Sequence, residues 1–162
     1  MSPTEPLPHP HFPVRHDWLS AHDEPVLEPE LPIIDPHHHL WDRESSPYFL
    51  FDFLRDAANG HRIEASIFVE CGAMHRKDGP LALRCVGETE FVNGCAAMSA
   101  SGNYGSTLAC AAIIGQGDLL LGDSVTTVLE AHLRAGGDRF RGVRQVAAWH
   151  PDPTARGSIM SP

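Results

Sequence analysis

The run Ile33-Ile34-Asp35-Pro36-His37-His38-His39-Leu40-Trp41-Asp42 decides how this chain is interpreted. Two apolar residues lead into it, and Asp35, His37 and His39 then recur at every second position. On an extended backbone this period predicts that these three side chains share one face and that His38 points to the other. Neutral imidazole is a common ligand for zinc and related ions. The run therefore predicts the end of a strand carrying two metal ligands, His37 and His39; the alternative is a solvated loop with stacked histidines.

Apolar runs and helix-like stretches alternate from this point onward. The Ser46-Pro47 pair has the residue types of a helix start, and Gly60 follows the predicted end of that helix. The predicted strands are Leu31 to Asp35, Ala65 to Glu70, Cys110 to Ile114 and Phe140 to Val146. The predicted helices are Pro47 to Asn59, Pro80 to Ser99 with Gly94 as a candidate interruption, and Ser124 to Ala135.

This alternation predicts an α/β fold of parallel βα units. The spacing between the strands is that of βα units in a (β/α)8 TIM barrel. No glycine-rich phosphate loop follows the first strand, where Pro36 to His39 stand instead. That absence argues against a dinucleotide-binding fold.

Residues 1 to 30 form a segment rich in proline and histidine, and residues 31 to 162 form the predicted partial barrel domain. The proline density predicts a flexible tail with one short helix near Arg15 to Ala21. His9 and His11 lie in the tail, where solvation is the expected state and adventitious metal binding the alternative. No secretory signal and no membrane-spanning apolar segment is recognisable, so we expect a cytoplasmic protein.

The charge balance limits the partners. Among the 162 residues the formal net charge is -9, and no basic stripe exists that would neutralise phosphates. We therefore expect neither nucleic acid nor an anionic membrane surface as a partner, and we expect a small-molecule substrate instead. The four cysteines form no C-x-x-C pair, so we expect small buried thiols rather than a zinc ribbon.

Polar residues also follow the later predicted strands. The carboxyl ends of parallel strands meet at one edge of a sheet, so we expect these side chains to lie near the histidines. Arg144 is a candidate to hold a substrate carboxylate, with pairing to a barrel acid as the alternative. Glu70 is a candidate substrate-binding residue or a helix cap. The remaining candidates for this site are Gln116, Asp118, Gln145 and His150. For His150 the alternative is a purely structural role.

The Asp35 to Asp42 run resembles the H-x-H signature of the amidohydrolase superfamily, in its amidohydrolase-related branch of metal-dependent hydrolases. The likeness continues weakly through Val69-Glu70-Cys71 and Phe140 to Arg144. The resemblance implies a TIM barrel in which His37 and His39 are the first two metal ligands. It also implies later histidines and a general-base aspartate on strands five to eight. A bound ion would lower the pKa of water to about 7.

The chain differs from this family in its extent. A full barrel takes about 250 residues, so we expect a half-barrel truncated after about four strands, with the aspartate beyond Pro162. The binuclear branch needs a lysine after strand four, and Lys77 is the sole lysine; a mononuclear site, with zinc favoured over manganese or iron, is therefore expected.

Three functions remain open at this point. The first is hydrolysis of a lactone, amide or ester of a small carboxylated molecule, and the second is metal-dependent non-oxidative decarboxylation. The third is a truncated chain without activity. A half-barrel also leaves exposed strand edges, so we expect either assembly with another copy into a homo-oligomer or marginal stability.

Overall fold

The computed structural model describes residues 15–22, 24–44, 46–148 and 150–152. The chain divides into two compact units, one of residues 1–23 and 146–162 and the other of residues 24–145. In the described part of the first unit a short helix, α1, spans His16–Leu19. The tail prediction for residues 1–14, including His9 and His11, lies outside the described residues.

The second unit is built on one parallel sheet. Its strands are β1 Pro32–His38, β2 Arg62–Val69, β3 Leu108–Gln116 and β4 Phe140–Arg144, and their order in the sheet is β1-β2-β3-β4. The helices α2 Leu50–Ala57, α3 Val86–Ala100 and α4 Val125–Gly136 alternate with the strands. The predicted α/β fold with parallel βα units is therefore confirmed. Because the order follows the chain without reversal, this sheet lacks the switch point of a doubly wound fold.

Helix α2 begins at Leu50, so the prediction of a start at Ser46-Pro47 is wrong. The backbone groups of Trp41 and Tyr48 exchange hydrogen bonds of 2.8 and 2.9 Å, and the Trp41 indole donates to the Ser46 carbonyl oxygen. This bridge holds the segment before Phe49 in a non-helical conformation. The helix then starts with the Asp52 carboxylate accepting from the Phe49 N–H at 3.0 Å.

Helix α3 begins at Val86 instead of Pro80 and is not interrupted at Gly94. Residues Leu81–Leu83 form a separate 3-10 turn before it. The start of α3 packs closely on the loop after β2, because a Cβ on Gly87 would lie only 2.5 Å from the Met74 carbonyl oxygen. Glycine is thus required at this contact.

The core lies between the sheet and the helices. Phe68 of β2, Ile113 of β3 and Phe140 of β4 point into it, together with Phe53 of α2 and Val92 of α3. Cys85, Cys95 and Cys110 are buried and Cys71 is half-buried, all four as free thiols. Within the described residues no helix is long and apolar enough to cross a membrane.

The opposite side of the sheet carries apolar side chains that no helix of this unit covers. These side chains belong to residues that pair in register with one another and alternate with the core residues, and we call them the open face: Ile34, Ala65, Ile67, Ala112 and Ile114. Ile34 is 62% exposed. The open face leads, at the carboxyl ends of the strands, to the predicted site.

Candidate metal centre

His37 and His39 converge at the carboxyl end of β1. Strand β1 extends to His38, three residues further than predicted, so His37 lies within the strand and His39 directly follows it. The Nε2 atoms of His37 and His39 are 3.2 Å apart, and the two rings are nearly perpendicular. The i and i+2 spacing thus brings two imidazole nitrogens to one point.

The orientation of His39 is fixed by the neighbouring strand. Its Nδ1 lies 2.7 Å from the Val69 carbonyl oxygen, which can only accept a hydrogen bond. Nδ1 therefore carries the proton, and the Nε2 lone pair is directed at His37. Burial lowers the pKa of His39, and the Arg144 charge lowers it further, although the bond to Val69 acts in the opposite direction. The ring is thereby kept neutral, which is the state that binds metal ions.

His38 points to the other side, as the alternation predicts. It is 8% exposed, its Nδ1 lies 3.1 Å from the Ile67 carbonyl oxygen, and its ring stacks on Phe53 at 4.3 Å. Burial lowers the pKa of His38 to about 4. His38 is therefore a neutral histidine of the core.

Asp35 does not share the face of the histidine pair, so that part of the alternation prediction is wrong. Asp35 pairs in register with Ser66 and His38 with Phe68, and the strand is irregular between these two pairs. The extra residue breaks the period of two. Asp35 accepts a hydrogen bond from the His37 N–H at 3.0 Å and so stabilises the irregular segment that presents the pair.

Glu70 and Arg144 form an ion pair at the same edge of the sheet. Arg144 donates from Nε to Glu70 Oε1 at 2.7 Å and from Nη2 to the Glu70 carbonyl oxygen at 2.6 Å. Glu70 is buried, whereas the Arg144 side chain is 37% exposed. Arg144 thus forms the pair with an acid of the sheet that was the alternative to substrate binding. Glu70 orients Arg144 and does not cap a helix.

The other candidates at this edge have local structural contacts. Asp118 accepts from the Leu120 N–H at 2.9 Å, and Gln145 accepts from the Leu119 N–H at 2.7 Å. Gln116 lies beside Arg144 in the ladder, and its buried Oε1 has no hydrogen-bond partner among the residues that the structure describes. His150 belongs to the other unit, where its Nδ1 accepts from the Asp152 N–H at 3.1 Å.

Glu88 was not identified from the sequence. It is 1% exposed, and its Oε1 accepts from the N–H groups of Cys71 and Ala73 at 3.0 and 2.9 Å. Its Oε2 is buried and has no hydrogen-bond partner within the described part of the chain. Burial raises the pKa of this carboxyl. Glu88 thus holds the loop that follows Glu70. An acidic residue in the first turn of a helix is a recognisable sequence signal, and Glu88 lies in the first turn of α3. The sequence predicts the start of this helix at Pro80, six residues too early, and therefore does not place Glu88 there.

A second buried cluster joins β3 to the helices. His132 is fully buried; its Nε2 lies 2.9 Å from the Gln116 carbonyl oxygen and its Nδ1 lies 2.8 Å from Thr89 Oγ1. Nε2 therefore donates to the carbonyl and does not act as a base toward Cys85, whose Sγ is 3.6 Å away. Burial raises the pKa of the Cys85 thiol. This cluster is structural and does not contain an activated nucleophile.

The histidine pair has no third protein ligand in the part of the chain that the structure describes. No group of three or more His, Cys, Asp or Glu side chains there is arranged to hold an ion. A catalytic zinc usually has three protein ligands and an open position. Within the described residues, the pair therefore offers two of the three protein donors that a site of this kind would need.

Comparison with known proteins gave no match: no protein-family model, curated protein or solved structure matches this chain.

Proposed function

We propose that this chain is part of a metal-dependent hydrolase of the amidohydrolase type, in which His37 and His39 bind one divalent ion. The four βα units would belong to a (β/α)8 barrel whose interior is the open face. The observation that carries the proposal is the 3.2 Å approach of the two Nε2 atoms. Zinc is the favoured ion, and manganese and iron accept the same donors.

The geometry of the pair fits an ion. Zinc–nitrogen bonds of about 2.0–2.1 Å in a tetrahedral arrangement place two nitrogens about 3.3 Å apart. The His39 Nδ1–H donates to a carbonyl oxygen, which is the usual support of a histidine ligand. A hydrogen bond between the two rings would explain the same distance without an ion, so measured metal binding decides between the two.

Arg144 is proposed to orient a carboxylated substrate. Glu70 occupies the side of the guanidinium formed by Nε and Nη2. The end formed by Nη1 and the second Nη2 hydrogen is geometrically suited to a carboxylate. Because the pair with Glu70 is partly buried, Arg144 is held in one orientation before a substrate arrives.

When bound, a divalent ion supplies Lewis acidity toward water and the scissile carbonyl group. The residues of this chain would contribute binding and orientation. His39 stays neutral and directs its lone pair, Asp35 stabilises the irregular segment of β1 that presents His37, and Arg144 attracts the anionic part of the substrate. The third ligand and the general base are not assigned to any described residue.

The experiment is an activity assay of the full chain loaded with zinc or manganese. Lactones, esters and amides bearing a carboxylate are supplied, and both acid release and CO2 release are followed. Hydrolysis that is lost on chelation and in His39→Ala, but kept in His61→Ala, supports the proposal. His61 is an exposed histidine just before β2 and serves as the matched control. CO2 release would indicate the decarboxylase instead, and no turnover of either kind would favour the inactive chain.

A further inference from the structure

We propose that Trp41 is a positioning residue for the metal ligand His39, because its indole ring stacks on the imidazole and holds it in the orientation that binds an ion. This inference rests on the proposed function and deepens it by adding a residue that acts on the ion through His39. Three observations support it: the stacking of the two rings, the contacts that fix the indole, and the unequal support of the two ligands.

The His39 ring has contacts at three places. Its Nδ1 donates to the Val69 carbonyl oxygen at 2.7 Å, and its Nε2 lies 3.2 Å from that of His37. Its face is stacked on the Trp41 ring, with 5.8 Å between the centroids and 28° between the planes. A single hydrogen bond leaves a ring able to tilt about the bonded atom. The stack on Trp41 limits this tilt and so helps to direct the Nε2 lone pair.

The indole is fixed by contacts of its own. The backbone groups of Trp41 and Tyr48 exchange two hydrogen bonds, and the indole Nε1 donates to the Ser46 carbonyl oxygen at 2.8 Å. The Tyr48 hydroxyl donates to Asp56 Oδ2 at 2.7 Å, which joins this bridge to α2. Trp41 therefore offers His39 a surface whose position is set by the fold.

Two further residues hold the stack in place. The Arg43 guanidinium carbon lies 3.9 Å from the centroid of the Trp41 ring, where the cation is attracted to the negative face of the indole. Leu40 stands between the two stacked residues in the chain and is fully buried in the core. The backbone that carries both rings is thus anchored, and the indole is held on its face as well as at its nitrogen.

The two histidine ligands differ in their support. His37 is exposed, and its ring meets the His39 ring nearly at right angles, with 4.8 Å between the centroids. His39 is half-buried and is oriented by Val69 and Trp41 before an ion arrives. Loosening His39 should weaken ion binding, because the ring would then have to be ordered on binding. The indole N–H can only donate, so Trp41 itself is not a ligand.

The test is zinc binding to the metal-free full chain, followed by calorimetry. Trp41→Leu keeps an apolar side chain and removes the flat ring, so the affinity should fall by about tenfold. Trp41→Phe keeps a smaller flat ring without the bond to Ser46 and should show a smaller loss. Trp18→Leu, at an exposed tryptophan of α1, is the matched control and should bind zinc as the wild type does.

A double-mutant cycle tests whether Trp41 acts through His39. In the His39→Ala background, Trp41→Leu should cause no further loss of zinc affinity. A further loss as large as that in the wild-type background would overturn the proposal. Unchanged affinity in Trp41→Leu would also overturn it, as would an equal loss in Trp18→Leu. If Trp41→Leu does not fold, Trp41→Phe decides, and wild-type affinity in that variant contradicts the role.

A measurement without metal separates this inference from the proposed function. Nitrogen NMR, at a pH where the imidazoles are neutral, reports which ring nitrogen of His39 carries the proton. The wild type should hold it on Nδ1, as the bond to Val69 requires, and Trp41→Leu should mix the two tautomers. If this change is seen but the wild type binds no zinc, only the hydrolase is contradicted. If zinc binds through His37 and His39 and neither readout responds to Trp41→Leu, only the role of Trp41 is contradicted.

Discussion

The Arg144 guanidinium is joined to Glu70 at two points, the side-chain carboxylate at 2.7 Å and the backbone carbonyl oxygen at 2.6 Å. The two residues are unequal in burial, because the Glu70 side chain is 8% exposed and that of Arg144 is 37% exposed. The ion pair therefore links the ends of β2 and β4 while leaving part of the arginine accessible.

Removing the two partners of this pair should have unequal effects on stability. Arg144→Met leaves a buried carboxylate without its cation and should lower the free energy of unfolding by about 2–3 kcal/mol. Glu70→Gln keeps an acceptor and leaves an arginine that can reach solvent, so it should cost about 1 kcal/mol. Urea unfolding of both variants measures the difference; equal losses would contradict the assigned burial.

Glu88 should make the protein less stable as the pH rises above the usual glutamate value of 4.5. Burial raises the pKa of Glu88 in the folded state, so the unfolded chain loses this proton first, and this loss lowers the free energy of the unfolded chain relative to the folded chain. The contribution is fully present below pH 4.5 and is lost as the pH rises through the folded value. Glu88→Gln keeps the acceptor for Cys71 and Ala73 and should remove this dependence.

The measurement is the free energy of unfolding at several pH values between 4.5 and 8 for the wild type and Glu88→Gln. Glu130→Gln, at an exposed position of α4, is the matched control and should retain the wild-type slope. The same slope in Glu88→Gln as in the wild type would show that Glu88 does not titrate as its burial requires.

Two glycines of α3 should respond to alanine in opposite directions. At Gly87 a Cβ would lie 2.5 Å from the Met74 carbonyl oxygen and 2.8 Å from the Arg76 nitrogen, both backbone atoms. Gly87→Ala should therefore lower the melting temperature, at a cost of about 1–3 kcal/mol. At Gly94 an added Cβ would have no described atom within 4 Å outside the backbone of its own helix, so Gly94→Ala should stabilise the helix by about 0.5–1 kcal/mol. Thermal unfolding of the two variants tests the close packing of α3 at Gly87. A lower melting temperature in both variants would contradict the different surroundings assigned to the two glycines.

The sheet was predictable because its signals are local. The apolar runs gave the strands, and the spacing of His37, His38 and His39 correctly placed one histidine in the core and two on the other face. The start of α2 was not predictable, because the bridge between Trp41 and Tyr48 overrides the helix-start signal at Ser46-Pro47.

The contacts between distant residues could not be read from the sequence. The irregularity of β1 that turns Asp35 away depends on its register with β2. The partners of Arg144 and Glu88 lie 74 and 17 residues away, and nothing near either residue indicates them. That His37 and His39 share a face could be predicted from their spacing. The 3.2 Å distance between their Nε2 atoms and the hydrogen bond from His39 Nδ1 to the Val69 carbonyl oxygen could be seen only in the structure.

The most direct test of the central claim is zinc binding to the metal-free full chain, followed by calorimetry. The proposed centre predicts binding that weakens by about tenfold or more in both His37→Ala and His39→Ala. Binding should persist in His61→Ala and in a variant lacking both His9 and His11. Zinc binding that survives loss of His37 or His39, or that disappears with the tail histidines alone, would contradict the assignment.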